Sequence, residues 1–562
     1  MFRLPKTALG KSLKSAEYPF LLPVTLSETN VERMLIQVLE RMVKEGKTSS
    51  PYRGDQDPAY KLEELVEKLS KNQKLDGFDN ERGRVLLDGW LRTSVLEMIP
   101  KKEGPGDQID FVKLLTIASY RSGLSRERSR HRKADLLIYK AMIKSKKHEI
   151  GFDKASLRMM LQKTKLTDGL DFSDATLYPY ISPEYDEKSP LDINALLELR
   201  FLEGIEGRNP VRKDDDLTFT MPVPEAVVPL ATDMLNLITS FSNLAPSQAI
   251  DGLTAIMSLR LFQLPLRVVH AINNLEAQNG VSVDQPDVRN TCEMYFDFTS
   301  SATSLSSELS KKSVESDLQT LGSLFSKLVQ LRETENCLRA IKPVKEAYEL
   351  LDPRAKLIKL IEMRKDPQVH LVAGLEITKI ESALEEDENL SDLVDVLNEI
   401  RSSSTDDLEA YARLVVEDHG NVALAGYRKW SYSTGGFMPN GGRRDYALLS
   451  GTKSKPVTWK YKMGDSLLVT LINLCFLDDK GILQKRRHLE MSELLQRLES
   501  RFGVLINRPP RELDSPEARA AAVENFAAFT RNLKVLGYFE GLSDDFAAQY
   551  VTRPDFEGLK ND

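Results

Sequence analysis

Cysteine is scarce in this chain: three residues in 562, at positions 292, 337 and 475, with no CxxC pair. Neither a disulfide framework nor a paired-thiol zinc cluster fits such spacing, and a reducing compartment is expected. Histidine is nearly as rare, with six residues scattered at 131, 148, 270, 370, 419 and 488. HExxH and GxSxG are both missing, which removes two common catalytic frames. The text GKS at 10–12 lacks the rest of a P-loop, because Pro5 stands where the first glycine of the pattern is needed. No motif implies a cofactor or a metal. Long apolar runs are also missing: Leu467 to Leu477 is interrupted by Asn473 and falls short of the roughly 18 residues that span a bilayer. Near the N-terminus the apolar run Phe20–Leu22 lies between Pro19 and Pro23, a poor secretion signal. A cytoplasmic protein without a membrane partner is therefore expected.

What is present is the composition of a soluble globular protein, 41% hydrophobic and 29% charged, with a net charge of −7. At this length two to four domains are expected. Helical periodicity dominates. In DPRAKLIKLIEMRKD, Asp352 is placed to cap a helix that Pro353 opens, with Leu357, Ile358, Leu360 and Ile361 on one face. In PSQAIDGLTAIMSLRLFQLP, Ser247 is the expected cap and Pro265 the expected end or kink. Breaks are read at KDDD (213–216) and at RSSSTDD (401–407). The expected fold is mainly α: an N-terminal helical domain over 1–215, a central helical domain over 216–405, a basic aromatic and glycine-rich segment over 406–463, and a small mixed α/β domain over 464–562. No repeat of solenoid period is found.

The last domain is the most readable. Asp465 can cap a first helix, Gly481 follows it, and Ser492 can cap a second. Ser515-Pro516 opens a third, with Val523, Phe526, Phe529, Leu533 and Leu536 as its apolar stripe and Gly537 at its end. Two short strands are read around Ser543 to Asp545. This order resembles a winged helix-turn-helix, apart from INRPPRELD, which is longer than the usual turn between the second and third helices. The resemblance implies that Ser515 to Leu536 is a recognition helix, with Arg519, Arg531 and Lys534 available to phosphates or bases. Winged helices also dock proteins, as in kleisin-type subunits. The stretches FGVLINRPP and VENFAAFTRNLKVLGYFEGLSDD are similar in general style to accessory subunits of bacterial antiviral defence operons, with no diagnostic motif.

Two basic stretches stand against the acidic average. The first holds Arg126, Arg128, Arg130, Arg132, Lys133, Lys140 and Lys144, expected on a helix from about 124 to 147. Such a face could engage several phosphates, each with a salt-sensitive term, or could simply be solvated. The second runs from Tyr427 to Lys462 and holds Arg428, Lys429, Arg443, Arg444, Lys453, Lys455, Lys460 and Lys462, opposed by Asp445 and interleaved with Trp430, Tyr432, Phe437, Tyr446, Trp459 and Tyr461. Cations with aromatics suit a nucleic-acid groove. PVTWKYKM alternates as a half-buried strand, with RDYALLS as its proposed antiparallel partner. Within this stretch, STGGFMPNGGRR (433–444) reads as a mobile loop, turned at Asn440-Gly441, that presents Arg443 and Arg444, with Lys460 and Lys462 on a neighbouring strand, to a polyanion. The only acid–base candidate is Glu417 with His419 in VEDHGN, and a plain polar loop is the competing reading.

These readings lead to a DNA-binding recognition or scaffold subunit, on duplex or single strands, acting with a partner such as an ATPase, helicase or nuclease. The alternatives are a protein-docking scaffold and an enzyme of unrecognised type.

Overall fold

The computed structural model describes residues 18–47, 62–72, 75–100, 104–115, 117, 133–144, 153–167, 170–171, 180–181, 193–202, 221–277, 292–340, 342–386, 391–539 and 550–553. Its helices are α1 (Val31–Val43), α2 (Leu62–Ser70), α3 (Glu81–Trp90), α4 (Ala134–Lys144), α5 (Lys154–Gln162), α6 (Ile193–Leu202), α7 (Val228–Ser240), α8 (Pro246–Ala277) and α9 (Leu305–Ala340). They continue with α10 (Lys342–Glu349), α11 (Pro353–Met363), α12 (Pro367–Glu385), α13 (Ser391–Ser402), α14 (Asp407–Thr434), α15 (Asp465–Cys475), α16 (Met491–Phe502) and α17 (Pro516–Val535). The strands pair in twos. β1 (Leu96–Pro100) pairs with β2 (Asp107–Val112), β3 (Leu170–Asp171) with β4 (Tyr180–Ile181), and β5 (Met294–Tyr295) with β9 (Val504–Leu505). β6 (Leu449–Ser450) pairs with β7 (Lys460–Tyr461), and β8 (His488–Glu490) with β10 (Tyr550–Thr552). The mainly α fold is as expected.

One continuous apolar core draws on residues from Tyr18 to Val551 and therefore on all four segments read from the sequence. A smaller core lies under α2, α3 and β1, closed by Phe201. Local capping follows the expected chemistry at two helices. Asp352 accepts from the amides of Arg354 and Ala355, and Ser515 accepts from Ala518. Elsewhere the starts shift by a residue or two: α8 begins at Pro246, ahead of Ser247, and α16 is preceded by Glu490, ahead of Ser492.

Of the end or kink expected at Pro265, the end does not occur, since α8 continues to Ala277. A proline leaves the carbonyl four residues earlier without its helical donor, and here that carbonyl, Leu261 O, accepts from Trp430 Nε1 at 2.9 Å. Trp430 is fully buried in α14. Ser258 Oγ reciprocates by donating to Thr434 O at 2.5 Å, capping the last turn of α14. The α8 helix is long and apolar enough to cross a membrane, but 94% of its apolar window is buried inside the protein. It is the central core helix, buried continuously from Gly252 to Val269.

The glycine-rich stretch is a tight hairpin. Phe437 bridges Arg443, Met438 N donates to Gly442 O at 2.8 Å, and Gly441 N returns to Met438 O at 3.0 Å. Pro439 and Asn440 thus form the turn, and Gly441 sits at φ +86°. Gly436 also has φ +86°, and a Cβ there would lie 2.5 Å from Ala447 Cα. Its glycine serves close approach of two backbones.

The same construction recurs after α15. Leu477 bridges Leu483, Asp478 N donates to Ile482 O at 2.9 Å, Gly481 N to Asp478 O at 2.8 Å, and Gln484 N to Phe476 O at 3.1 Å. Each bond has its counterpart forty positions earlier, the last being Arg444 N to Gly436 O at 2.9 Å. Gly481 has φ +72°. The unit helix–hairpin–strand therefore occurs twice, α14 to β6 and α15 to β8, with little sequence in common beyond the turn glycine and the strand leucines Leu449 and Leu489.

In the C-terminal domain the element order is α15, β8, α16, α17, then Phe539 bridging Val551 of β10, which pairs with β8. The expected strand pair around Ser543 to Asp545 lies outside the described residues. The long connection after α16 is not a free turn. Val504–Leu505 adds in parallel to β5, and Arg508 pairs with Glu293 and Glu499. One flank of α17 is fixed to the body, since Ala518, Ala521 and Ala522 pack with Tyr295 and Leu309 while Asn525 donates to Phe296 O and Ile506 O.

Candidate nucleic-acid interface

The first basic stretch is only partly described. Arg126, Arg128, Arg130 and Arg132 lie outside the described residues. Lys133 is exposed with φ +67°, Lys140 is half-buried and Lys144 is exposed. The α4 helix that carries the last two is otherwise well buried, and Asp135 in its first turn accepts from Arg41 Nε at 2.8 Å.

The second stretch divides into an inner and an outer set. Arg443 points inward: Nε donates to Leu449 O at 2.8 Å, and the same guanidinium reaches Lys462 O. Burial pushes its pKa down. Arg444 lies 2.8 Å from Glu97 and 3.5 Å from Glu32, which joins the hairpin to β1 and α1. Lys460 Nζ lies 2.9 Å from the fully buried Asp297 and 2.8 Å from Ser307 Oγ. Asp297 is also held by Thr299 and Ser306. These three cations are committed to internal partners, so the reading of a mobile loop offering Arg443 and Arg444, with Lys460 beside them, is corrected. The physical reason is that carboxylates remote in sequence already satisfy Arg444 and Lys460, while nearby backbone carbonyls, Leu449 O and Lys462 O, satisfy Arg443. The β6–β7 pairing read from sequence is present, with Leu449 opposite Tyr461. Trp459 and Tyr461 are buried as the alternation implies, whereas Val457 falls in a 3-10 turn and is exposed.

The outer set consists of Arg428, Lys429, Lys453 and Lys455. Arg428 and Lys429 are exposed near the end of α14, and Arg428 stands one turn before Tyr432. Lys453 Nζ lies 4.4 Å from the centroid of the Tyr432 ring, so the 451–458 loop brings this cation to the same helix face. Burial lowers the pKa of Lys453, with Glu28 acting in the opposite direction. That loop is rigidly built. Gly451 has φ +130° and would place a Cβ 2.5 Å from Thr458 O, and Trp459 Nε1 donates to Thr452 O at 2.9 Å. Lys455 is exposed and Lys462 half-buried, its pKa lowered by burial and then by Lys460.

On α17, Arg519 is held by Asp514 at 2.6 Å. Arg531 and Lys534 are exposed, and Lys534 Nζ lies 5.4 Å from the Phe539 ring centroid. The reading from sequence passed over another exposed basic run, Lys485, Arg486, Arg487 and His488, although KRRH was legible as a charge cluster. Glu417 and His419 fall inside α14, not in a loop. Among the described residues no group of His, Cys, Asp or Glu could hold a metal ion.

A family model described as methylation-associated defense system protein MAD7 matches residues 11–555. The chain belongs to this MAD7 family. An association with antiviral defence follows for the chain as a whole, since the match covers all the elements described above. No curated protein and no solved structure matches it.

Proposed function

We propose that this chain is a non-catalytic DNA-binding recognition or scaffold subunit of a methylation-associated defence system, working beside an enzyme such as an ATPase, helicase or nuclease. The reading is supported above all by the outer patch, where Lys453 lies over Tyr432, Arg428 and Lys429 are exposed on the same stretch of α14, and Lys455 is exposed on the loop that carries Lys453. Cations beside a ring suit a phosphodiester chain with bases that can stack. The element order of the C-terminal domain supports its use as a winged helix, although the fixed flank of α17 restricts any groove contact to the side bearing Arg531 and Lys534.

A protein-docking role for the same domain is favoured by two exposed valines on α17, Val523 at 72% and Val535 at 85%. Anisotropy titrations with duplex and single-stranded DNA separate the readings. With Arg428, Lys429, Lys453 and Lys455 all changed to Gln, the log–log salt slope is expected to fall by about 3 to 4, at about 0.9 per lost phosphate contact on duplex. Wild-type protein that binds neither DNA at low salt would leave docking as the reading that stands.

A further inference from the structure

The unit built on the smaller core carries a surface that the basic stretches do not use. Its helix α3 buries Leu87 against that core, which Phe201 of α6 closes, and Trp90 Nε1 donates to Asn194 Oδ1 at 3.0 Å. Asn80 caps the helix by accepting from Gly83 N at 2.9 Å, and its Nδ2 donates to Gly77 O at 3.1 Å. The turn at 77–80 is thus tied to the helix that it starts. On the solvent side Glu81, Arg84, Val85 and Asp88, which share one helix face by their spacing, line an open groove of about 490 Å³ with Asp79 of the turn. Val85 is 67% exposed, and Leu86 beside it 62%. Arg84 is paired with Glu67 at 2.9 Å, and Asp88 with Arg92 at 2.7 Å. Arg82 is exposed but outside the lining. Asp79 and Glu81 are exposed and meet no cation among the described residues, so they are the unmatched charges of the groove.

We infer that this groove docks a partner protein through a segment that sets an apolar side chain against Val85 and Leu86 and a lysine or arginine against Asp79 and Glu81. Charge complementarity selects the sign of the occupant, since two unmatched carboxylates attract a cation and repel a phosphodiester chain. The apolar pair selects its class. A small polycation gains little from Val85 and Leu86, whereas an apolar centre inside a charged rim is the anatomy of a protein interface. The tied turn and the packed inner side of α3 hold the groove in shape, so little ordering opposes docking. Arg444, paired with Glu97 of β1 at 2.8 Å, joins this unit to the main core. The inference stands independently of the DNA-binding reading and shares no residue with the outer patch.

The test titrates the full-length protein by anisotropy with a labelled amphipathic Lys/Leu peptide and with its Glu/Leu counterpart. Wild type is compared with D79K/E81K and V85A/L86A, each checked for an unchanged thermal midpoint; D79N/E81Q replaces the charge reversal if that midpoint falls. The Lys/Leu peptide is expected to lose about tenfold in affinity in each variant. D79K/E81K is expected to take the Glu/Leu peptide instead. Carbodiimide coupling to wild type should join peptide lysines to Asp79 or Glu81, read by mass spectrometry. Wild type that binds neither peptide, unchanged affinity in both variants, or coupling only at other carboxylates overturns the inference. Loss in the charge variant alone, or displacement by equimolar spermidine, overturns it in favour of a simple cation site. Loss in V85A/L86A alone overturns it in favour of a purely apolar contact.

Discussion

At the scale of single residues, buried polar groups are decided by partners far away in the chain. Trp430 serves one carbonyl, Leu261 O, which exists as an unpaired acceptor only because Pro265 lacks an N–H. Trp430→Phe should cost about 1–3 kcal/mol beyond its change in packing, and the cost should shrink in a Pro265→Ala background that restores the helical donor. Urea denaturation of the four proteins in that cycle measures the coupling. Asp317 provides a pH-dependent case. Burial raises its pKa to about 7, with Glu512 adding to the shift and the hydrogen bond from Tyr461 Oη opposing it. The folded state therefore keeps a proton that the unfolded chain releases above the ordinary aspartate range near 4. Its contribution to stability is present below that range and is lost as the pH rises through about 7. Asp317→Asn should flatten the dependence of the thermal midpoint on pH between about 4 and 7. Asp233 is the opposite case. Although burial raises its pKa, Arg260 and Arg501 at 2.7 Å each hold it below the ordinary range.

At the scale of elements, the hairpins show how one turn chemistry can serve different ends. Gly436 and Gly441 share φ +86°, yet only Gly436 faces a close backbone, while a Cβ at Gly441 meets nothing within 4 Å. Gly441→Ala should cost about 1 kcal/mol, the penalty of a left-handed L-residue. Gly436→Ala should cost roughly 3 kcal/mol, because overpacking adds to that penalty. Calorimetric midpoints of the two variants check the difference. The turn at Asn440-Gly441 was legible because its residue types have local causes. The duplication of the unit was not, because it is carried by backbone hydrogen bonds whose donors and acceptors are silent about side-chain identity.

At the scale of the molecule, one core links residues from near the N-terminus to β10, and α8 lies at its centre. The break read at KDDD (213–216) lies outside the described residues, whereas at RSSSTDD (401–407) α14 begins, capped by Asp406, and runs into the core beside α8. The shared core also explains the division of the basic stretch. Arg444 and Lys460 meet Glu32, Glu97 and Asp297, contributed by segments remote from the hairpin in sequence, Arg443 turns onto backbone carbonyls, and the outer set keeps an exposed face. The quadruple Gln variant therefore acts on a surface whose contribution to the fold is small, and its effect should be confined to binding.

The sequence alone determined what depends on neighbours along the chain: the helical character, the caps at Asp352 and Ser515, the hairpin turn, the β6–β7 pairing, and the lack of metal or P-loop motifs. Those features follow from propensity, capping geometry and periodicity within a few residues. Only the tertiary structure decided which cations are spent. Arg443, Arg444 and Lys460 look like the most available charges in STGGFMPNGGRR and PVTWKYKM, but a charge is available only if no buried carboxylate or carbonyl reaches it. Glu32 and Glu97 are brought to Arg444, and Asp297 to Lys460, by folding over more than a hundred residues, and no local pattern records that approach.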